Sequence, residues 1–135
     1  MEYTELATYA LKSKISALPL YSNFHVGTAI LCEDEKVFTG INIENSSYSL
    51  TICAERTAIF KALSEGERKF KAIAIASDSN DFCPPCGACR QVIYDFCGEI
   101  DIILVNNSGE LKILKSTELL PYPFGTDTLK NIKES

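Results

Sequence analysis

Helical and extended patterns interleave along this chain, and the alternation predicts an α/β fold in which helices cover the faces of a sheet. Three observations carry the expectation. Short runs rich in Val, Ile and Phe alternate with longer, Ala-rich stretches of helical period. Pro, Gly, Asn or clustered acids fall at the breaks. The last two apolar runs are joined only by Asn106-Asn107-Ser108-Gly109-Glu110. Parallel pairing needs a crossover of a dozen or more residues, so these two strands run antiparallel.

In order, residues 4 to about 18 read as a helix, with Leu11, Ile15 and Leu18 along one face and Pro19 beyond its end. Residues 24–31 and 36–43 read as strands joined by the acidic turn Cys32-Glu33-Asp34-Glu35. Residues 53–63 form an Ala-rich helix ended near Gly66. Residues 71–76 alternate Ala with Ile, as a buried strand would. Cys83-Pro84-Pro85 breaks the chain before a second buried helix at 87–96. Strands at 102–105 and 111–114 follow, then a turn around 117–120. The sequence shows no repeat, low-complexity stretch or linker, and 1–135 reads as one domain.

Composition narrows the function classes. Apolar residues make up 46% and charged residues 23%, which argues for an ordered globular chain. The acidic opening Met1-Glu2-Tyr3-Thr4-Glu5 has neither the basic start nor the apolar run of a signal peptide. No stretch approaches the roughly 20 apolar residues of a membrane span. A reducing cytoplasm is therefore expected, where six cysteines serve metals rather than disulfides. The net charge of −5 offers no basic face for a nucleic-acid polymer, so a small, mostly neutral substrate fits better.

The chemistry concentrates in Cys53-Ala54-Glu55 and Pro85-Cys86-Gly87-Ala88-Cys89. A lone Cys-x-x-Cys also suits a redox pair or half of a structural zinc site. A redox pair, however, needs neither Cys53 nor the adjacent Glu55. A closed structural site would have to recruit Cys32, Cys83, Cys97 or His25, and none sits at a second paired spacing. Three thiolates with one vacant corner describe a catalytic zinc instead. Cys86 and Cys89, three apart, share a helix face. Cys53 and Glu55, two apart, converge only if Cys53 is the first residue of its helix. Zinc would then lie where two helix N-termini meet, a setting that stabilises thiolates. Arg56, three residues from Cys53, is placed to donate to a sulfur; Arg90 reads equally well as a second such donor or an exposed charge.

These motifs resemble the zinc-dependent nucleoside deaminases, and specifically cytidine deaminases of the short, homotetrameric type. The resemblance runs nearly end to end, through Tyr21-Ser22-Asn23-Phe24-His25-Val26-Gly27, Gly40-Ile41-Asn42-Ile43-Glu44-Asn45, Leu119-Leu120-Pro121 and Phe124. It implies a three-layer fold with a five-stranded mixed sheet flanked by helices. It further implies that Cys53, Cys86 and Cys89 bind Zn²⁺ while Glu55 shuttles protons among water, N3 of the pyrimidine and the departing 4-amino group. The Ala54 N–H would hold the pyrimidine O2, and a carbonyl near Pro84 would accept from the leaving amine. Asn42 and Glu44 would bind the ribose, and Phe24 would pack on the base. Tyr48 would lie at a subunit interface near the pocket, and Phe124 would reach a neighbour's site, so the tetramer would share its active sites.

Three alternatives stand beside this reading. Deaminases of cytosine-nucleoside antibiotics, the blasticidin type, share the Cys motifs but generally lack the Asn-x-Glu-Asn element seen at 42–45. Polynucleotide editing is disfavoured by the acidic charge and by the antiparallel final strands. A non-catalytic zinc-binding module that kept the fold is the last.

Overall fold

The computed structural model describes residues 1–129. Three helices and five strands follow one another as α1 (Tyr3–Lys14), β1 (Val26–Cys32), β2 (Val37–Ile41), α2 (Ala54–Ser64), β3 (Phe70–Ser77), α3 (Gly87–Cys97), β4 (Asp101–Val105) and β5 (Leu111–Lys115). Single 3₁₀ turns at Tyr48–Leu50 and Ser116–Leu119 complete the described elements. The sheet order is β2-β1-β3-β4-β5. Only β3 and β4 run parallel, with α3 as their crossover; the remaining neighbours, the final pair included, are antiparallel. Among the described residues no helix is long and apolar enough to cross a membrane.

The Ala/Ile alternation of β3 explains the three layers. Successive side chains of a strand point to opposite faces. Ala72, Ala74 and Ala76 therefore share one face, where with Ala29 they make a shallow floor for Leu6, Ala7 and Ala10 of α1. Ile73 and Ile75 share the other, packing with Ile30, Ile102 and Leu104 against Ala58, Ile59 and Ala62 of α2 and Ile93 of α3. On the α1 face β3 contributes only alanines, with Leu31, Ile103 and Val105 of its neighbours completing that layer; on the other face β3 contributes isoleucines under α2 and α3.

The first helix ends four residues before the sequence pattern does, and on a different face. Leu6, Ala7 and Ala10 are its buried residues, whereas Ile15 is 81% exposed and Leu18 lies outside the helix. The backbone has a better use for Leu18: its N–H donates to Asn42 O at 2.9 Å and its carbonyl accepts from Glu44 N at 3.0 Å. That pairing extends the chain beyond β2, which stops at Ile41, and Ile43 bridges to both Leu18 and Ile52. Asn42 and Glu44 thus follow β2 rather than ending it. The sheet margin here is braced by Asp78, which accepts from the His25 amide and faces His25 Nδ1, both at 2.7 Å, while Lys14 reaches its other oxygen at 3.3 Å.

Two glycines set how closely helices approach the sheet. A Cβ on Gly27 would stand 2.3 Å from Ala10 O, and one on Gly40 would stand 2.4 Å from Ala58 N and 2.5 Å from Ala54 O. Backbone atoms cannot swing aside as a side chain can. The Gly40 contact reaches the first turn of α2, where Cys53 and Glu55 emerge. Gly40→Ala is expected to lower stability by about 1–3 kcal/mol through overpacking and to reduce bound zinc. Urea unfolding with metal analysis checks this; an unchanged midpoint and full zinc content would contradict the packing argument.

Candidate active site

Both cysteine motifs sit at helix starts. Cys53 is the N-cap of α2 and Cys86 the N-cap of α3, each with extended backbone (ψ 152° and 169°). Cys89 is the third residue of α3. The sequence requires Cys53 inside the first helical position; the structure places it one residue earlier. Extended geometry at the cap achieves the same convergence, because it frees the sulfur from the helical spacing that would separate it from Glu55. Neither helix start has a side-chain cap hydrogen bond, so the first-turn amides and their partial positive charge are left to the site.

The sulfurs converge as a metal would require. Cys53 Sγ and Cys86 Sγ are 3.7 Å apart, and all three sulfurs lie within 4.8 Å of one another. Two sulfurs each about 2.3 Å from one tetrahedral zinc stand roughly 3.8 Å apart. Among the described residues no further Cys, His or carboxylate joins this cluster. Arg56 Nη2 donates to Cys53 Sγ at 3.4 Å, while its buried Nε finds no acceptor. The cation therefore depends on the sulfurs for its counter-charge. Three thiolates and one divalent ion leave an excess negative charge, which this guanidinium offsets. The donor set fits zinc.

Electrostatics divide the roles. The Cys89 thiol, then Arg56 and Cys86, hold Cys53 down to about 5 in the metal-free chain. Cys89 itself is pushed strongly upward, first by its hydrogen bond to the Cys53 sulfur and then by burial. The pair thus favours the Cys53 thiolate with the proton on Cys89. Glu55 is 5% exposed, and burial pushes its carboxyl up to about 7. Cys83 is also raised, by burial and then by the Glu55 charge, which places its thiol near that carboxylate.

A cavity of about 220 Å³ opens beside the sulfurs, lined there by Cys53, Ala54, Glu55, Cys83, Pro84 and Cys86. Val26, Asn42, Ile52 and Ile75 form further wall, and Glu44 and Thr51 are shared with an outer depression of about 370 Å³. Glu44 is anchored: its carboxylate accepts from the Tyr21 and Ser22 amides at 2.8 and 2.9 Å and from the Ser22 hydroxyl. Those bonds, the hydroxyl first, keep its pKa below the usual carboxylate range. Asn42 spends much of its amide on the chain, accepting from Val26 N at 3.0 Å and donating to Phe24 O at 2.8 Å.

Not every expected residue reaches the cavity. Phe24 is half-buried and is not among the lining residues. Tyr48, 72% exposed, stands in the outer depression edge-on to Tyr21 with ring centroids 5.3 Å apart. Phe124 is 58% exposed on a separate patch with Tyr122, Pro123 and Thr128. The wall residues Val26, Ile52 and Ile75 carry no motif signal; they belong to core-like apolar runs and become a pocket only through the topology. Cys83 had a signal, its place just before Pro84-Pro85-Cys86.

The family profile described as "Cytidine and deoxycytidylate deaminase zinc-binding region" matches residues 1–105. The chain belongs to the cytidine deaminase family. A cytidine deaminase of Sporosarcina psychrophila is 44% identical over 135 residues, 99% of each chain. The crystal structure of cytidine deaminase from Burkholderia pseudomallei superposes with a TM-score of 0.89 at 41% identity, covering 92% of this chain and 100% of that one. The blasticidin-S deaminase of Bacillus cereus is more distant, 31% identical over 132 residues, 92% of this chain and 91% of its own. The matched profile is that of a zinc-binding region, so the metal is Zn²⁺, and among the described residues Cys53, Cys86 and Cys89 form the all-sulfur candidate cluster for it.

The depressed Cys53 thiol gives a titration signature. Its pKa lies below the roughly 8.5 of a free thiol, so its contribution to stability is present above that value and is lost as pH falls through about 5. Metal-stripped protein is expected to show one thiolate by ultraviolet absorbance at neutral pH, lost near pH 5, and absent from Cys53→Ser. A first thiolate appearing only above pH 8 would contradict the assignment.

Proposed function

We propose that this chain hydrolyses cytidine and 2′-deoxycytidine to uridine and 2′-deoxyuridine with release of ammonia, as a step of pyrimidine salvage. The observation that carries it is the three-sulfur cradle beside a buried carboxylate, on the wall of a cavity of about 220 Å³. In this reading Cys53, Cys86 and Cys89 hold the zinc, which when bound lowers the pKa of a water to about 7 and so supplies hydroxide at neutral pH.

Glu55 accepts the proton released as water adds to C4, passes it to N3, and then delivers a proton to the departing amino group. Overall, water adds and ammonia leaves. Burial keeps the proton affinity of Glu55 close to neutrality, where a shuttle of this kind works in both directions. The Ala54 amide, in the uncapped first turn of α2, donates to the pyrimidine O2. The Pro84 carbonyl accepts a long bond from the Cys83 thiol at 3.9 Å and keeps a second lone pair for the leaving amine.

The sugar lies outward, toward Glu44 and Asn42. A carboxylate offers about four acceptor positions, and Glu44 has committed three to Tyr21 and Ser22, leaving room for a ribose hydroxyl. The Asn42 amide retains one N–H. Phe24, whose carbonyl accepts from the Asn42 amide at 2.8 Å, is the ring that packs on the base in this reading. The exposure of Tyr48 and Phe124 supports a homotetramer in which each subunit completes its neighbour's site, and Arg56 tempers the sulfur charge. The chain acts as a single catalytic domain over 1–135 in the cytoplasm.

The Bacillus cereus relative keeps a second reading, deamination of a cytosine-nucleoside antibiotic. Glu44 and Asn42 at the cavity favour the nucleoside, and so does the greater similarity to proteins named cytidine deaminase. The acidic charge and the antiparallel β4–β5 pair disfavour polynucleotide editing, and a purely zinc-binding role does not account for a buried Glu55.

Glu55→Ala is expected to retain zinc while cytidine turnover falls by at least about 10²–10⁴-fold. Metal analysis and absorbance kinetics on both proteins read this out. Turnover of blasticidin S without turnover of cytidine would favour the second reading, and unchanged activity in Glu55→Ala would remove the shuttle. Glu44→Ala is expected to raise KM for cytidine about tenfold, with no such effect on 3′-deoxycytidine. Equal losses on both nucleosides would remove Glu44 from the sugar site.

A further inference from the structure

Arg90 directly follows Cys89, yet its guanidinium bonds carbonyls rather than sulfur. Its Nε donates to Pro85 O at 2.8 Å and its Nη1 to Leu119 O at 3.0 Å. The Arg90 amide also donates to Cys86 O at 2.9 Å, so one residue secures two consecutive carbonyls of the chain that enters α3. Leu119 closes the 3₁₀ turn after β5, far along the chain from the cysteines. Gln91 continues the contact, donating to Phe124 O at 2.8 Å, and Gly125 lies close enough to Tyr94 that a Cβ would stand 2.6 Å from its ring.

The entry to α3 needs this help for a chemical reason. Pro84 and Pro85 have no amide N–H, so the segment cannot fix itself by donating to its surroundings. The Pro85 carbonyl precedes the N-cap Cys86 and lies outside the hydrogen-bond ladder of α3. A carbonyl oxygen is therefore the handle by which the Pro85–Cys86 peptide plane can be held. Turning that plane turns the Cys86 backbone, and with it the direction of its sulfur. The same two-proline segment carries the Pro84 carbonyl, and Pro84 lines the cavity beside Cys86.

We propose that Arg90 is a positioning residue for the reaction: by clamping Pro85 O against Leu119 O it fixes the Pro84–Cys86 wall, and so the Cys86 sulfur and the Pro84 carbonyl. The inference rests on the zinc-deaminase reading of that wall. Arginine is suited to the task because its planar fork reaches two acceptors on different segments at once, whereas a lysine ammonium is a point donor on a flexible stem.

Cobalt-substituted enzyme tests this without turnover, since its visible spectrum reports the thiolate geometry. Arg90→Ala is expected to change that spectrum and to release zinc to a chelator about tenfold faster. At full zinc occupancy its kcat for cytidine is expected to fall about tenfold with KM little changed, and Arg90→Lys to recover part of each loss. A cobalt spectrum and zinc-release rate identical to wild type would overturn the proposal, whatever the activity. If Arg90→Ala does not fold, Arg90→Lys decides alone: a spectrum and kcat equal to wild type would overturn it, since lysine does not reproduce the fork. Failure of wild type to turn over cytidine would count against the deaminase reading, while the spectrum would still report on Arg90.

Discussion

Everything in this site depends on two helix starts being brought end to end at one margin of the sheet. Three sulfurs within 4.8 Å of one another would repel as thiolates in isolation. What makes the cluster tenable is the surrounding positive potential, from the uncapped first turns of α2 and α3 and from Arg56. In turn, α2 and α3 can meet there because both pack on the Ile face of β3, with Gly40 admitting the backbone of α2. The metal cradle is a consequence of helix placement, to which the Ala/Ile alternation of β3 and the missing side chain of Gly40 both contribute.

The cavity inherits its polarity from the same arrangement. Glu55 stands by the sulfurs, where burial raises its pKa. Glu44, shared with the neighbouring depression, is held below the usual carboxylate range by the Ser22 hydroxyl and the Ser22 and Tyr21 amides. Two carboxylates on one cavity are thus shifted in opposite directions, one by burial and the other by hydrogen bonds. This division suits a substrate with a reactive amidine at one end and hydroxyls at the other.

The layer order, the strand sequence and the antiparallel final pair were legible in the chain because period, turn length and Pro/Gly punctuation are local properties. So was the sulfur set, since two short motifs carry all of it. The end of α1 was not legible: Ile15 and Leu18 continue a helical pattern, and only the pairing of Leu18 with residues 42 and 44 shows why the helix stops. Cys53 falling at the cap rather than inside α2 was likewise a matter of backbone angle, which spacing does not reveal. Arg90 shows the limit most clearly. Adjacency to Cys89 left a sulfur donor and an exposed charge equally open, but its partners are two carbonyls, one of them 29 residues away. The wall residues Val26, Ile52 and Ile75 read as core until the fold turned one side of them toward a cavity.

Zinc K-edge X-ray absorption on the metal-loaded protein bears most directly on the central claim, because it counts donor atoms and measures their distances. Three sulfurs at about 2.3 Å and a single lighter oxygen donor at about 2.0 Å are the expected shell. Four sulfurs, or two sulfurs with a histidine, would mean a closed or differently built centre, and the vacant position on which the chemistry depends would be gone.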